Sequence, residues 1–477
     1  MKKISCFILV LITGVVSLVR CTGNSQVNDE KFIRVSRENP RYFETQDGKP
    51  WIPVMINVIM PNGDDEAKVF RTVENYFRHF SENGGDAMRI WISSPFLEIE
   101  DTRQGEYNPA KFSRIDTILG FAEKYNVKIK FTLQHIRSIK PKGPDVTEWS
   151  NKSILSTAEG GTFSGIKEYI NTPEGRKHYL DRARALAAKY RDNKQIFSWE
   201  LWNEMDAVDA EDWYSFSKEI LDSVKLLFPH HMVAQTLGSM HSKDADERYE
   251  KFLTLENNDY FTVHRYLDPG NDWGQYDNVH GPIDLLISQA VQFVYRPAPV
   301  KPVVPNEHGA VEANHTGPNK LYRRDSLGVF IHDMIFAPFF CGASGCGSMW
   351  HWDSYVERQN LWFHYKRFNA IIEGIDPVKE KFVPFTLEKD MVRCYGIKGG
   401  TTTMIWCRDA GSNWMTELRD SIVPEPRKNV VLDLPETGSY SSARFYDPWN
   451  DSWTNSAIKE KSISLPDFTR SIVVVLN

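Results

Sequence analysis

Between Trp51 and about residue 375, short apolar runs alternate with longer stretches in which apolar positions recur every three or four residues. The first pattern predicts buried strands and the second amphipathic helices. Strand-like runs are Ile52–Val58, Ala87–Ile92, Val127–Leu133, Ile196–Trp202, Met232–Thr236, Tyr260–His264, Val303–Pro305 and Gly347–Trp350, eight in all. Helical periodicity covers Asp65–Phe80, Arg114–Tyr125, Gly175–Tyr190, Trp213–Leu227, Ile283–Tyr295 and Leu321–Ile335, and is least distinct between the fifth and sixth runs. Eight repeated βα units predict an α/β fold, a (β/α)8 TIM barrel with enlarged loops. An open doubly wound sheet is the alternative, but no glycine-rich phosphate loop follows the first run.

The pattern differs at both ends. Phe32–Val35 and Tyr42–Glu44, followed by the turn pair Asp47-Gly48, predict a short hairpin before the barrel. The segment from Gln134 to Thr172 is long for a βα loop, and loops of that length are usually functional. After residue 378 the helical period disappears. Short alternating runs (Val392–Ile397, Thr402–Trp406, Val430–Leu432, Tyr440–Tyr446, Ser462–Leu465, Ser471–Leu476) predict an antiparallel β-sandwich. The expected organisation is a barrel with its hairpin at 32–378 and an all-β sandwich at 379–477.

Composition adds the setting. Of 477 residues, 41% are hydrophobic and 25% charged, as in an ordinary globular chain, and a net charge of -6 offers no basic footprint for nucleic acid. Lys2 and Lys3 followed by the apolar run Ile4–Val19 read as an export signal, too short for a membrane span. Cys21 after that run resembles the lipidated cysteine of a bacterial lipoprotein, although Arg20 stands where a small residue is usual; a cleaved secretory peptide is the alternative. Residues 1–21 are thus expected to be a lipoprotein-type signal and 22–31 a polar tether. The expected location is the outer membrane or cell surface, otherwise the periplasm or medium, with membrane contact only through the lipid. Cys341, Cys346, Cys394 and Cys407 show no zinc spacing; Cys394 and Cys407 could bridge neighbouring strands or, like the others, remain buried thiols.

Two of the apolar runs stop at a carboxylate: Ser198-Trp199-Glu200-Leu201-Trp202-Asn203-Glu204, and Lys301-Pro302-Val303-Val304-Pro305-Asn306-Glu307-His308-Gly309. Residues at the carboxyl ends of barrel strands gather at one mouth. Two carboxyls facing each other there suit glycosidic bond cleavage, one protonating the leaving oxygen and the other attacking the sugar. Arg89, inside the second run, needs a buried anion: Glu307 would supply it, and a structural salt bridge with Glu200 is the alternative. The Tyr266 phenol, beyond the sixth run, could orient the nucleophile. The 14 Trp suit sugar faces, although most Trp are simply packed.

Asn-Glu followed downstream by Glu-x-Gly, with Arg89, the pair His264 and Tyr266, and Trp350, resembles the clan A glycoside hydrolases that include glycoside hydrolase family 5. That resemblance implies Glu204 as general acid/base, Glu307 as nucleophile, and Trp350 as the platform beneath the sugar. Asn203, His135, His264, Trp352 and Asp353 are expected at substrate, and Trp149 and Trp273 could extend the cleft from loops. The mechanism needs no metal and no cofactor. The expected activity is retaining, endo-acting cleavage of a β-glucan or β-mannan, with polysaccharide or oligosaccharide as the partner. The alternatives are an exo-acting β-glycosidase and a noncatalytic glycan-binding lipoprotein. Oligomeric state has no signal in the sequence.

Overall fold

Apolar runs flanked by turn residues fold here as parallel strands buried along nearly their whole length, as a sheet covered by helices requires. The structure, a computed structural model, describes residues 31–477 except 60–62, 145, 211, 241–243, 269–279, 435–439 and 459–461. The signal segment 1–21 with Cys21, the tether through residue 30, and Trp273 lie outside the described residues. The expected hairpin forms from β1 (Ile33–Val35) and β2 (Phe43–Thr45), with β3 (Pro50–Trp51) paired beyond the turn. Five parallel strands follow in spatial order: β4 (Met55–Asn57), β5 (Ala87–Trp91), β6 (Lys128–Gln134), β7 (Ile196–Trp202) and β8 (Met232–Ala234). A parallel pair, β9 (Phe261–Leu267) and β10 (Val303–Ala310), continues them. Met349 bridges in parallel to both Ile56 and His308, linking β10 back to β4.

Three expectations change. The run Gly347–Trp350 makes single bridges rather than a ladder. Its backbone lies so close to the helix Val329–Phe340 that a Cβ at Gly347 would fall 1.9 Å from the Met334 carbonyl oxygen. The expected strand Val303–Pro305 runs on to Ala310, because a register shift between Pro305 and Glu307 lets pairing resume; Glu307 therefore lies inside β10 rather than at its end. The expected helix Leu321–Ile335 is a 3₁₀ turn, Lys320–Arg324, and then a separate helix, Val329–Phe340. Gly328, at φ 78°, breaks the helical path, and the Asp325 carboxylate caps the Val329 and Phe330 amides.

The C-terminal region is all β. Six antiparallel strands run in the order β11 (Val383–Lys389), β12 (Val392–Lys398), β13 (Thr403–Asp409), β18 (Ser471–Leu476), β15 (Ser442–Asp447) and β16 (Ser452–Ala457). A second, two-stranded sheet pairs β14 (Val431–Asp433) with β17 (Ser462–Ser464). Strand alternation divides the side chains between two cores. Cys394, Ile405, Cys407 and Val474 face the small sheet, whereas Tyr395, Met404, Trp406 and Val473 join the main core with Phe336. Cys394 and Cys407 are cross-strand partners with sulfurs 3.6 Å apart, and all four described cysteines are buried free thiols. Lys31–Asn477 form one compact unit.

Candidate active site

The parallel strands carry charges inward at their centre. Arg89 on β5 is fully buried and forked. Its Nε donates to Glu200 on β7 at 2.9 Å, Nη1 to Glu307 and to Asn57 at 3.0 Å, and Nη2 to Asn203 at 2.8 Å. The two partners weighed for Arg89 are thus held together by one guanidinium. Lys130 on β6 adds a second cation 2.9 Å from Glu200. Burial alone would raise the Glu200 carboxyl, but Arg89 and then Lys130 overcome it and hold it well below the usual carboxylate range. The same burial lowers the Lys130 ammonium to about 8 despite Glu200.

Glu307 is nearly buried, and besides Arg89 it accepts from the Tyr266 hydroxyl at 2.9 Å. Glu204 stands just past β7 with φ 51° and ψ 60°, a left-handed conformation that costs a non-glycine residue roughly 1–3 kcal/mol. The Thr236 hydroxyl accepts its amide at 3.1 Å. Its carboxylate meets His264 Nδ1 at 2.9 Å and Arg137 Nη2 at 3.1 Å.

A relay of hydrogen bonds sets the tautomer of His264. Lys130 can only donate, so Asn306 presents Oδ1 to it at 2.7 Å and must offer its amide Nδ2 to His264 Nε2 at 2.8 Å. His264 Nε2 therefore accepts, and Nδ1 donates its proton to Glu204. Burial pushes the Glu204 carboxyl up, but His264 first and then Arg137 outweigh it, and the carboxyl is held below its ordinary 4.5.

Glu204, His264 and Glu307 offer oxygen and nitrogen atoms all within 4.8 Å of one another. As a cation site the set is poor, because His264 Nδ1 carries a proton and Glu307 is already paired with Arg89. The arrangement suits proton transfer beside a nucleophilic carboxylate.

Both acids open into a cavity of about 490 Å³, whose wall includes Asn203, Tyr266, Trp350, Trp352 and Asp353. Trp350 is half-buried against Trp91, with ring centroids 5.4 Å apart, and Trp352 and Asp353 sit on a π-helical turn, Trp352–Glu357. His135 is placed differently from its expected role at substrate. It is 2% exposed; its Nε2 donates to the Trp149 carbonyl, leaving Nδ1 to accept from the Ser93 hydroxyl at 2.7 Å. Neither ring nitrogen is left for a sugar, and the imidazole acts as a spacer stacked between Trp91 and Trp149.

Sequence reasoning missed Arg137, Lys130, Trp91 and the pair His315–Asp268, in which the imidazole lines the cavity and meets the carboxylate at 2.8 Å. A lysine inside the apolar run Ile129-Lys130-Phe131 was a legible signal, since a buried ammonium demands an anion. Arg137 sits in a loop, where sequence shows no contact.

The chain is also similar to known proteins. A family model described as GH family 5 beta-mannosidase-like matches residues 100–381. A mannan endo-1,4-beta-mannosidase F of Aspergillus clavatus is 22% identical over 315 residues, covering 58% of this chain and 62% of that protein. Mannan endo-1,4-beta-mannosidase 1 of Arabidopsis thaliana is 26% identical over 230 residues, covering 43% and 54%. The chain thus spans roughly half the length of the curated relatives it matches. A solved structure described as a glycoside hydrolase superposes with a TM-score of 0.60 at 13% identity, covering 94% of this chain and 96% of that one, which supports the fold.

Proposed function

Because this chain belongs to glycoside hydrolase family 5, in its beta-mannosidase-like group, we propose that it cleaves a β-linked mannan internally, with retention, on a (β/α)8 barrel. One observation carries the mechanism: carboxylate oxygens of Glu204 and Glu307 lie within 4.8 Å of each other across one cavity. Retaining enzymes hold the two carboxyls about 5–5.5 Å apart, whereas inverting enzymes need roughly 6.5–9.5 Å to admit a water. Glu307 attacks the anomeric carbon as the bond to the leaving oxygen breaks, and that oxygen takes the Glu204 proton. Water then attacks the glycosyl-enzyme, Glu204 takes its proton, and Glu307 is released. Arg89 pairs with Glu307, and the Tyr266 hydroxyl donates to it, so both aim the carboxylate. With its Oδ1 held by Arg89, Asn203 has its amide donor left for a sugar hydroxyl, a contact that strengthens as the oxocarbenium ion forms.

Internal cleavage is supported by Trp149. It is 49% exposed and borders the catalytic cavity as well as two further hollows of about 180 and 510 Å³. An exposed indole at that junction suits a sugar beyond the cleavage point. Mannan is preferred over β-glucan because the family model and the relatives matched over more of this chain carry mannosidase names, whereas Endoglucanase C of Acetivibrio thermocellus matches over 30% of it. Export with lipidation at Cys21 belongs to the same proposal and rests on the sequence of residues 1–21.

Incubation with mannan, glucomannan and β-glucan, with product sizing and NMR of the first-formed anomer, tests the reading. Mannan should give mid-length fragments with a β reducing end. Release of monosaccharide alone would favour exo action, and no release would favour a binding protein. Trp149→Ala should raise KM on long mannan about five- to tenfold while changing activity on a short aryl glycoside little.

A further inference from the structure

Arg137 is the cation that touches the acid/base, and it belongs to the long loop after β6. Its Nη2 lies 3.1 Å from the Glu204 carboxylate, and its Nη1 donates to the Asn203 carbonyl at 2.6 Å, so one guanidinium grips both the side chain and the backbone leading into it. Arg137 is anchored in turn where the loop closes on itself: its amide donates to the Ser150 carbonyl at 2.6 Å, and Ser138 bridges to Asn151. Trp149, the exposed indole proposed to carry a distal sugar, precedes the residue that holds the Arg137 amide.

We propose that Arg137 is a positioning residue for the acid/base: through it, the loop bearing Trp149 holds Glu204 oriented and anionic between turnovers. The inference rests on Glu204 being the acid/base. The groups around that carboxylate single out Arg137. On β9, His264 donates a hydrogen bond from Nδ1 while its Nε2 is taken by the Lys130–Asn306 relay, and Tyr266 is a phenol. On β10, Glu307 is an anion that disfavours a second negative charge beside it. The loop after β10 brings His315 into the cavity wall, and Tyr249 approaches from the helix Ala245–Phe252. Among the described residues Arg137 is the permanently charged group bonded to Glu204, and its loss removes that charge while Glu307 stays beside the carboxyl. A carboxyl ion-paired with arginine is lowered by about 1–3 pH units. Protonating Glu204 for the first chemical step therefore works against this pair, whereas the second step, in which Glu204 is the base, is favoured by it.

The test is the pH profile of kcat/KM on mannan. Its alkaline limb reports loss of the Glu204 proton in the free enzyme. Arg137→Gln should move that limb up by about one unit or more, whereas Arg137→Lys, which keeps the charge, should leave it near the wild-type position. A limb that stays put or moves down in Arg137→Gln would overturn the proposal, as would equal shifts in both variants. Loss of folding in Arg137→Gln, seen by thermal melting, would assign Arg137 to the scaffold and also overturn it. Titration of 5-¹³C-glutamate-labelled protein, with the Glu204 resonance identified by its loss in Glu204→Gln, reads the same shift without turnover. If that resonance moves but no glycan is cleaved, the functional reading fails, and what remains is that Arg137 sets the charge of the Glu204 carboxyl.

Discussion

At the centre of the parallel strands Arg89 grips Glu200 and Glu307. At the seam with the C-terminal sheets, Arg393 and Arg408 grip Asp284 and Asp333. Both sets are buried arginine–carboxylate pairs with forked contacts. At the seam, Asp284 takes Arg393 at 2.6 and 2.9 Å and the Tyr395 hydroxyl at 2.8 Å, and Asp333 takes Arg408 at 2.7 and 3.2 Å. Those carboxylates are sealed between helix and sheet. In the central set Glu200 is equally sealed, but Glu307 reaches the edge of a cavity and faces a second carboxylate there. Burial and pairing therefore do not separate a functional acid from a structural one. Access to a cavity does.

The largest effect that sharpens this contrast is on turnover. Glu307→Ala should lower kcat on every substrate by on the order of 10⁴-fold or more. Azide added to that variant should yield an inverted α-glycosyl azide from an activated β-glycoside. Glu204→Ala should lose about 10²–10⁴-fold on mannan but much less on the activated substrate, because a good leaving group needs little protonation. Azide should then give the β product; swapped products would mean that the roles are reversed, and identical products from the two variants that they are wrongly assigned.

Next in size is the seam. Asp284→Ala strands Arg393 and should cost about 3–5 kcal/mol in denaturant unfolding, with KM and the azide chemistry unchanged in the protein that remains folded. A selective fall in kcat at full stability would break the comparison, because the seam would then act on the site.

The smallest effect is on the pH dependence of stability. The folded-state pKa of Glu200 is depressed, so its contribution is fully present above the ordinary carboxylate value of 4.5 and is lost as pH falls below it. Stability measured between about pH 5 and pH 3 should fall with acid, and the slope should be shallower in Glu200→Gln, whatever that variant loses overall. Equal slopes would mean that Glu200 does not feel its two cations.

Much of the site was legible because strand-end chemistry is local. Asn203 and Glu204 close an apolar run, and Glu307 follows one, so their placement at one mouth follows from alternating strands and helices. Where a strand ends was less legible: β10 continues through Glu307 because a register shift absorbs one residue, and such a shift leaves no mark in hydrophobic periodicity. The break at Gly328 was missed because apolar spacing runs across it, although its φ does not permit a continuous helix. His135 looked like a sugar ligand by position, yet both of its nitrogens are taken by groups brought in by the loops after β5 and β6.

The sequence by itself determined the order of strands and helices, the all-β character of the last hundred or so residues, and the identity of the two candidate acids, because each depends on short-range pattern. Tertiary structure decided what those acids experience. Glu204 is held by a guanidinium from a loop more than sixty residues earlier in the chain and by an imidazole sixty residues later, whose tautomer is set by Lys130 through Asn306. Protonation and orientation depend on fields and hydrogen bonds that act over a few ångströms in space, and folding brings those partners together from distant parts of the chain.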